Sequence, residues 1–247
     1  SLVFQPRLSI ALQRITGVEA LLRWDSREFG VVSPSQFIPL AEESGMILEL
    51  GAWALREACM TLREWHQAGL EDLSVAVNVS ATQLQRGDLQ LVVARTLAET
   101  GVPANRLELE LTESVVMANP AQNADTLRAC RRLGISLAID DFGTGYSSLA
   151  YLRRLPLTTL KIDREFISDL THDVDDEAIT STIITMGQSL ALKVVAEGGE
   201  TFDQYEFLRN HGCDEVQGHW VSSALEPEQC LRFIRNYYPG SGVRAAS

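Results

Sequence analysis

Short runs dense in Val, Ile and Leu alternate along the chain with longer helical runs. LSVAVNVS (73–80) precedes a helix near 88–100, RLELELTE (106–113) one near 120–133, and SLAIDDF (136–142) a short one near 147–154. TLKID (159–163) precedes a helix near 176–190, KVVAEGG (193–199) one near 202–211, and EVQGHW (215–220) one near 227–237. Upstream, SLVFQPRLSI and TGVEALLRWD read as two strands, followed by helices near 34–44 and 48–68. Eight strands, most of them followed by a helix at a spacing of roughly 25–35 residues, predict a mostly parallel sheet with the helices outside. Eight such units close naturally into a barrel. An open, doubly wound α/β sheet is the alternative, but its Gly-rich dinucleotide fingerprint after the first strand is missing. No Pro- or Gly-rich linker divides the chain, so residues 1–240 read as one domain and 241–247 as a frayed tail.

Composition narrows the class. The 247 residues are 45% hydrophobic and 22% charged, the make-up of a soluble globular protein with a sizeable core. The net charge of −12 argues against a nucleic-acid polymer or an anionic membrane as partner. A small anionic substrate stays open, provided metal ions or a few local cations offset the field. Cys59, Cys130, Cys213 and Cys230 are scattered and form no CxxC pair, which excludes zinc-ribbon and thioredoxin-like readings. Scattered thiols suit a reducing cytoplasm, the expected location. The longest weakly charged run, Ala178 to Leu192, is too short and too polar to span a bilayer. SLVFQP lacks both the basic flank of a signal peptide and an initiator Met, as expected of a domain cut from a longer protein.

The chemistry lies in polar residues embedded in the strands: Glu19, Asn78, Glu110, the adjacent Asp140 and Asp141, Lys161, Glu197 and Gln217. Most sit near the C-terminal end of their strand, where reacting groups converge in a closed α/β barrel. Any one of them reads equally well as a solvated strand end. Seven strands in a row do not, because polar groups inside a barrel need partners. The set offers five carboxylates and an amide oxygen, with no His or Cys, and hard oxygen ligands suit Mg²⁺ or Mn²⁺ rather than zinc. Two such ions, bridged by a carboxylate, are a recurrent device for hydrolysing phosphodiesters. Asp140 can bridge them, Asp141 can cap one, and Lys161 can orient or help deprotonate the attacking water. Gly143 and Gly145 let the backbone turn sharply after the acid pair.

In order along the chain, EALLRW (19–24), NVS (78–80), ELTES (110–114), DDFGTGYSSL (140–149), LKID (160–163), AEGGE (196–200) and VQG (216–218) resemble the EAL domain family of bacterial cyclic di-GMP phosphodiesterases. The resemblance runs from Gln5-Pro6 to the last helix. It implies a modified TIM (β/α)8 barrel with an antiparallel first strand, and metal-dependent hydrolysis of cyclic di-GMP to linear pGpG. Carried over by motif, Glu19, Asn78, Glu110 and Asp140 resemble ligands of one ion, and Asp140, Asp141 and Glu197 ligands of a second. Lys161 resembles the residue near the attacking water, with Gln217 assisting. Gln5 and Arg23 resemble substrate contacts, the Arg reaching a phosphate. Glu113 resembles the anchor of the loop after DDFG, and Asp163 and Glu200 resemble supporting groups. The resemblance also implies a homodimer and attachment to other signalling domains, in the cytoplasm or as the cytoplasmic part of a membrane-anchored protein.

Gly199 stands where the family usually has Val, His219 where it has Tyr and Ala224 where it has Pro, and RWDSREFG lacks the customary His-Pro. None of these removes a proposed ligand. A degenerate relative that binds the nucleotide without cleaving it is the rival reading, and a barrel enzyme of another metal-dependent class, such as an enolising lyase, a more distant one. THDVDDE (171–177) lacks the Gly and spacing of a calcium loop and suits a helix N-terminus. Trp24, Trp53 and Trp65 are expected to pack helices or line the barrel rim.

Overall fold

The computed structural model describes residues 1–86, 88–144 and 149–237, apart from the side chains of Pro120, Ala121, Leu149 and Ala150. The expected tail over 241–247 and Gly145 of the loop lie outside the described residues. The strands are β1 (Leu2–Ser9), β2 (Arg14–Leu22), β3 (Trp24–Ser26), β4 (Gly30–Val32), β5 (Ser74–Asn78), β6 (Leu107–Thr112), β7 (Ser136–Phe142), β8 (Thr159–Ile162), β9 (Lys193–Glu197) and β10 (Glu215–Gln217). Eight of them close a barrel in the order β1-β10-β9-β8-β7-β6-β5-β2, while β3 and β4 form a separate small hairpin. β1 runs antiparallel to both its neighbours, and every other neighbouring pair in the barrel is parallel. This is the mixed barrel that the motifs implied.

Side-chain alternation along each strand explains why the barrel is stable with a polar inside. Phe4, Leu8, Val75, Leu107, Leu109, Leu137, Ile139 and Leu160 are fully buried against the surrounding helices. The helices answer with Leu62, Trp65, Val93, Leu127 and Ile184, and Trp65 meets Phe4 edge to face at 5.0 Å. The alternate positions turn inward and carry the polar groups: Gln5 and Arg7 on β1, Glu108 and Glu110 on β6, Thr159 and Lys161 on β8, Glu215 and Gln217 on β10. The apolar core is therefore a ring between strands and helices, and the barrel lumen is a separate polar column.

The long helices fall close to the predicted positions. The helix over Val174–Ser189 starts at Asp173, whose carboxylate accepts from the Asp175 N–H at 2.8 Å, so the acidic run does serve a helix start. Thr201 and Gln204 form a reciprocal capping box at the start of Phe202–Asn210. The six-residue helices Ala81–Arg86 and Glu113–Ala118 and the β3–β4 hairpin are additions that the sequence pattern did not predict.

Candidate active site

Lys161 is wholly buried at the centre of the upper lumen and touches four carboxylates. Its Nζ lies 2.6 Å from Glu197 Oε1, 2.8 Å from Glu110 Oε2, 3.1 Å from Asp140 Oδ2 and 3.6 Å from Glu19 Oε2. Gln217 donates from Nε2 to Glu19 Oε2 at 2.6 Å and to Gln5 Oε1 at 3.1 Å, and Asn78 donates to Glu19 Oε1 at 2.7 Å. Gln217 Oε1 is buried without a hydrogen-bond partner among the described residues.

Asp141 joins this group through a backbone irregularity. Neighbouring residues of a regular strand face opposite sides, so Asp140 and Asp141 should diverge. The β7–β8 register shifts between Ile139 and Phe142, and Asp141 adopts φ 52, with its N–H on Asp140 Oδ1 at 3.0 Å. This bulge turns the second carboxylate to the same mouth as the first. Oxygens of Glu19, Glu110 and Asp140 lie within 4.8 Å of one another, as do those of Asp140, Asp141 and Glu197. Asp140 is common to both groups.

The electrostatics of the two levels of the lumen differ. At the lower level Arg7 Nη1 meets Glu108 Oε1 at 2.6 Å, and Lys193 meets Glu215 Oε1 at 2.8 Å, so two cations match two anions. At the upper level one ammonium faces five carboxylates, so carboxylates outnumber the cations there. Burial, and then the Glu19 charge, push Glu110 well above the usual carboxylate range against the pull of Lys161. Burial pushes Glu197 up to about 8, and burial with the adjacent Asp140 raises Asp141 to about 6. Glu19 goes the other way: burial opposes its charge, but Lys161 and the amide donors of Gln217 and Asn78 hold it below the ordinary value. Burial also works against the Lys161 charge, yet Glu110, Glu19, Glu197 and Asp140 together keep it an ammonium. An oxygen-only donor set with more carboxylates than cations, divided into two groups that share Asp140, can hold divalent cations.

The other expected residues are distributed around this core. Glu113 is buried and its Oε2 accepts from the Gly143 N–H at 3.1 Å. Asp163 faces Asp141 and adds to the rise of its carboxyl, and it accepts from the Glu165 N–H at 2.7 Å. Gln5 lines a polar cavity of about 270 Å³ beside the cluster, together with Glu19, Glu197, Gln217, Arg164 and His219. Arg23 instead donates to the Leu22 carbonyl at 2.8 Å and lines an adjoining apolar groove with Trp24, Phe37 and Trp53. Glu200 is exposed on the rim, 3.7 Å from His219 Nδ1. Sequence reasoning missed the lower level, Arg7, Glu108, Thr159 and Glu215. The signal was present: Glu108 precedes Glu110 by two residues and Arg7 follows Gln5 by two, which puts each pair on one strand face. Arg164 in the polar cavity was also missed, and its place beside Glu197 comes from the close packing of its Cβ on Gly198.

Fold and site together define an α/β-barrel protein with a reversed first strand and an acidic mouth able to hold cations. The chain belongs to the EAL domain family, whose profile matches residues 1–224. It is 49% identical over 234 residues to the cyclic di-GMP phosphodiesterase NbdA of Pseudomonas aeruginosa, covering 95% of this chain and 30% of that protein. It is 44% identical over 231 residues to the bifunctional diguanylate cyclase/cyclic di-GMP phosphodiesterase MucR of the same organism, covering 94% of this chain and 34% of that one. The chain thus spans about a third of the length of these relatives. The solved structure of the PaMucR phosphodiesterase in complex with c-di-GMP superposes with a TM-score of 0.90 at 44% identity, over 93% of each chain. No helix among the described residues is long and apolar enough to cross a membrane.

Proposed function

We propose that this chain hydrolyses cyclic di-GMP to linear pGpG at the acidic mouth of the barrel. The observation that carries the reading is the excess of carboxylates in the upper lumen, divided into two groups that meet at Asp140. The relatives named as cyclic di-GMP phosphodiesterases, and the similar structure that holds c-di-GMP, support the choice of substrate.

In this reading Glu19, Asn78, Glu110 and Asp140 hold one divalent cation, and Asp140, Asp141 and Glu197 a second, with Mg²⁺ or Mn²⁺ the matching ions. When bound, such a pair neutralises phosphodiester charge and activates water for in-line attack. The hydrogen bonds of Glu19 with Asn78 and Gln217 fix its carboxylate before any ion arrives. Lys161, kept as an ammonium, acts as a donor that orients water and balances charge. Gln217 adds a second amide to that side of the site. Gln5 and Arg23 contact the substrate, with the Arg23 guanidinium turning from the Leu22 carbonyl toward phosphate. Asp163 supports Asp141, and Glu200 acts from the rim. The chain works in the cytoplasm, as a homodimer and as one part of a longer signalling protein.

The test is turnover of cyclic di-GMP by the purified chain with Mg²⁺, with Mn²⁺ and with EDTA. pGpG is expected with either ion and not with EDTA. Tight nucleotide binding without product in all three conditions would replace hydrolysis with a sensing role.

A further inference from the structure

We infer that Arg7 is a positioning residue for the cation site, fixing the Glu110 carboxylate from beneath. The inference rests on the metal reading given above. Arg7 is 1% exposed, and its Nη1 lies 2.6 Å from Glu108 Oε1 and 3.4 Å from Glu110 Oε1. Glu110 is itself fully buried, and its other oxygen, Oε2, faces Lys161 at 2.8 Å. One guanidinium nitrogen therefore ties down an oxygen from each of two glutamates on the same strand face. Glu110 is left with a single oxygen for the upper level and cannot rotate to present both.

Arg7 is itself held in place. Thr159 Oγ1 donates to Glu108 Oε2 at 2.6 Å, so Glu108 is fixed from the far side. Glu215 Oε2 lies 3.9 Å from Arg7 Nε and adds a charge that keeps the guanidinium down. Gly17 leaves the space for it: a Cβ there would stand 2.9 Å from Nη2 and 2.8 Å from Ser74 Oγ. A merely structural ion pair needs only Arg7 and Glu108. The additional reach to Glu110 connects the neutral lower level to the ligand level. Partners that orient metal-binding carboxylates are worth about 10–100-fold in metal affinity.

The experiment is the Mn²⁺ dissociation constant of the chain, by calorimetric titration without nucleotide, alongside its melting temperature. Arg7→Met combined with Glu108→Gln removes the buried pair without stranding a charge, and is expected to weaken Mn²⁺ binding about 10–100-fold. Arg7→Lys keeps a buried cation but not the fork, and is expected to fall between that variant and the parent. Leu62→Ala opens a cavity in the apolar ring, away from the lumen network, so it should lower the melting temperature and leave Mn²⁺ affinity within threefold. Unchanged Mn²⁺ affinity in both Arg7 variants, or an equal loss in Leu62→Ala, would reduce Arg7 to a stabilising residue and overturn the inference. A parent chain that binds no Mn²⁺ would remove the metal reading itself, an outcome visible before any variant is made.

Discussion

Asp141 shows how much a single residue's backbone decides here. A non-glycine residue at φ 52 is uncommon, and Asp and Asn tolerate it best through local hydrogen bonding. The conformation is what brings two sequential carboxylates to one mouth, so fold and chemistry can be separated at this position. Asp141→Asn keeps the tolerance and loses the charge. It should leave stability nearly unchanged and lower turnover by about 10²-fold or more, since a metal-held charge is worth several kcal/mol. Asp141→Ala should lose the same activity and also about 1 kcal/mol of stability. Urea denaturation and initial rates on the two variants read the two effects separately, and equal stabilities would refute the backbone argument. The adjacency of the two acids was legible in IDDF. The bulge that aims them was not, because alternation alone sends Asp141 to the opposite face.

Among the elements, β7 and the turn after it carry the most function in the fewest residues. Gly143 has φ 108, and a Cβ on it would stand 2.7 Å from Phe166 Cε2, while its N–H is held by Glu113 at the start of the helix Glu113–Ala118. Conformation and space both exclude a side chain. Gly143→Ala is expected to destabilise the chain by about 1–3 kcal/mol and to cut turnover, measured by urea titration beside rates at saturating metal. A variant of parental stability would show that the turn can re-form around Ala. The helices of nine residues or more were readable because each is long enough for its apolar stripe to show. Ala81–Arg86 and Glu113–Ala118 were not, since six residues carry too little pattern and helices that short depend on their surroundings. The reversal of β1 was legible only through the family motifs. The strand runs themselves do not state direction.

Across the whole molecule the lumen has two levels, one with cations and carboxylates in equal number and one with carboxylates in excess. Ions that fill the upper level bind the folded chain and not the unfolded one, so they must stabilise it. At a hundredfold excess over the dissociation constant the gain is about 2.7 kcal/mol, or about 5–10 °C in melting temperature for a chain of this size. Calorimetric scans with Mn²⁺ and with EDTA should differ by that amount, and identical scans would mean that the acids hold no ion. The apolar ring outside the lumen makes its own prediction. Burial pushes the thiols of Cys59, Cys213 and Cys230 up to about 12 and that of Cys130 to about 11. At pH 8 all four stay protonated and enclosed. A disulfide-exchange reagent should label none in the native chain and four in urea, and rapid native labelling would place a thiol at the surface. The reversed first strand has one more consequence. The Ser1 nitrogen meets the Arg23 carbonyl at 2.9 Å, and Leu2 pairs with Leu22, beyond Glu19 along β2. In an all-parallel barrel the chain would thread in at the base, far from the reacting groups. Here the first strand enters at the acidic mouth itself, four residues before Gln5 on the sill of the polar cavity.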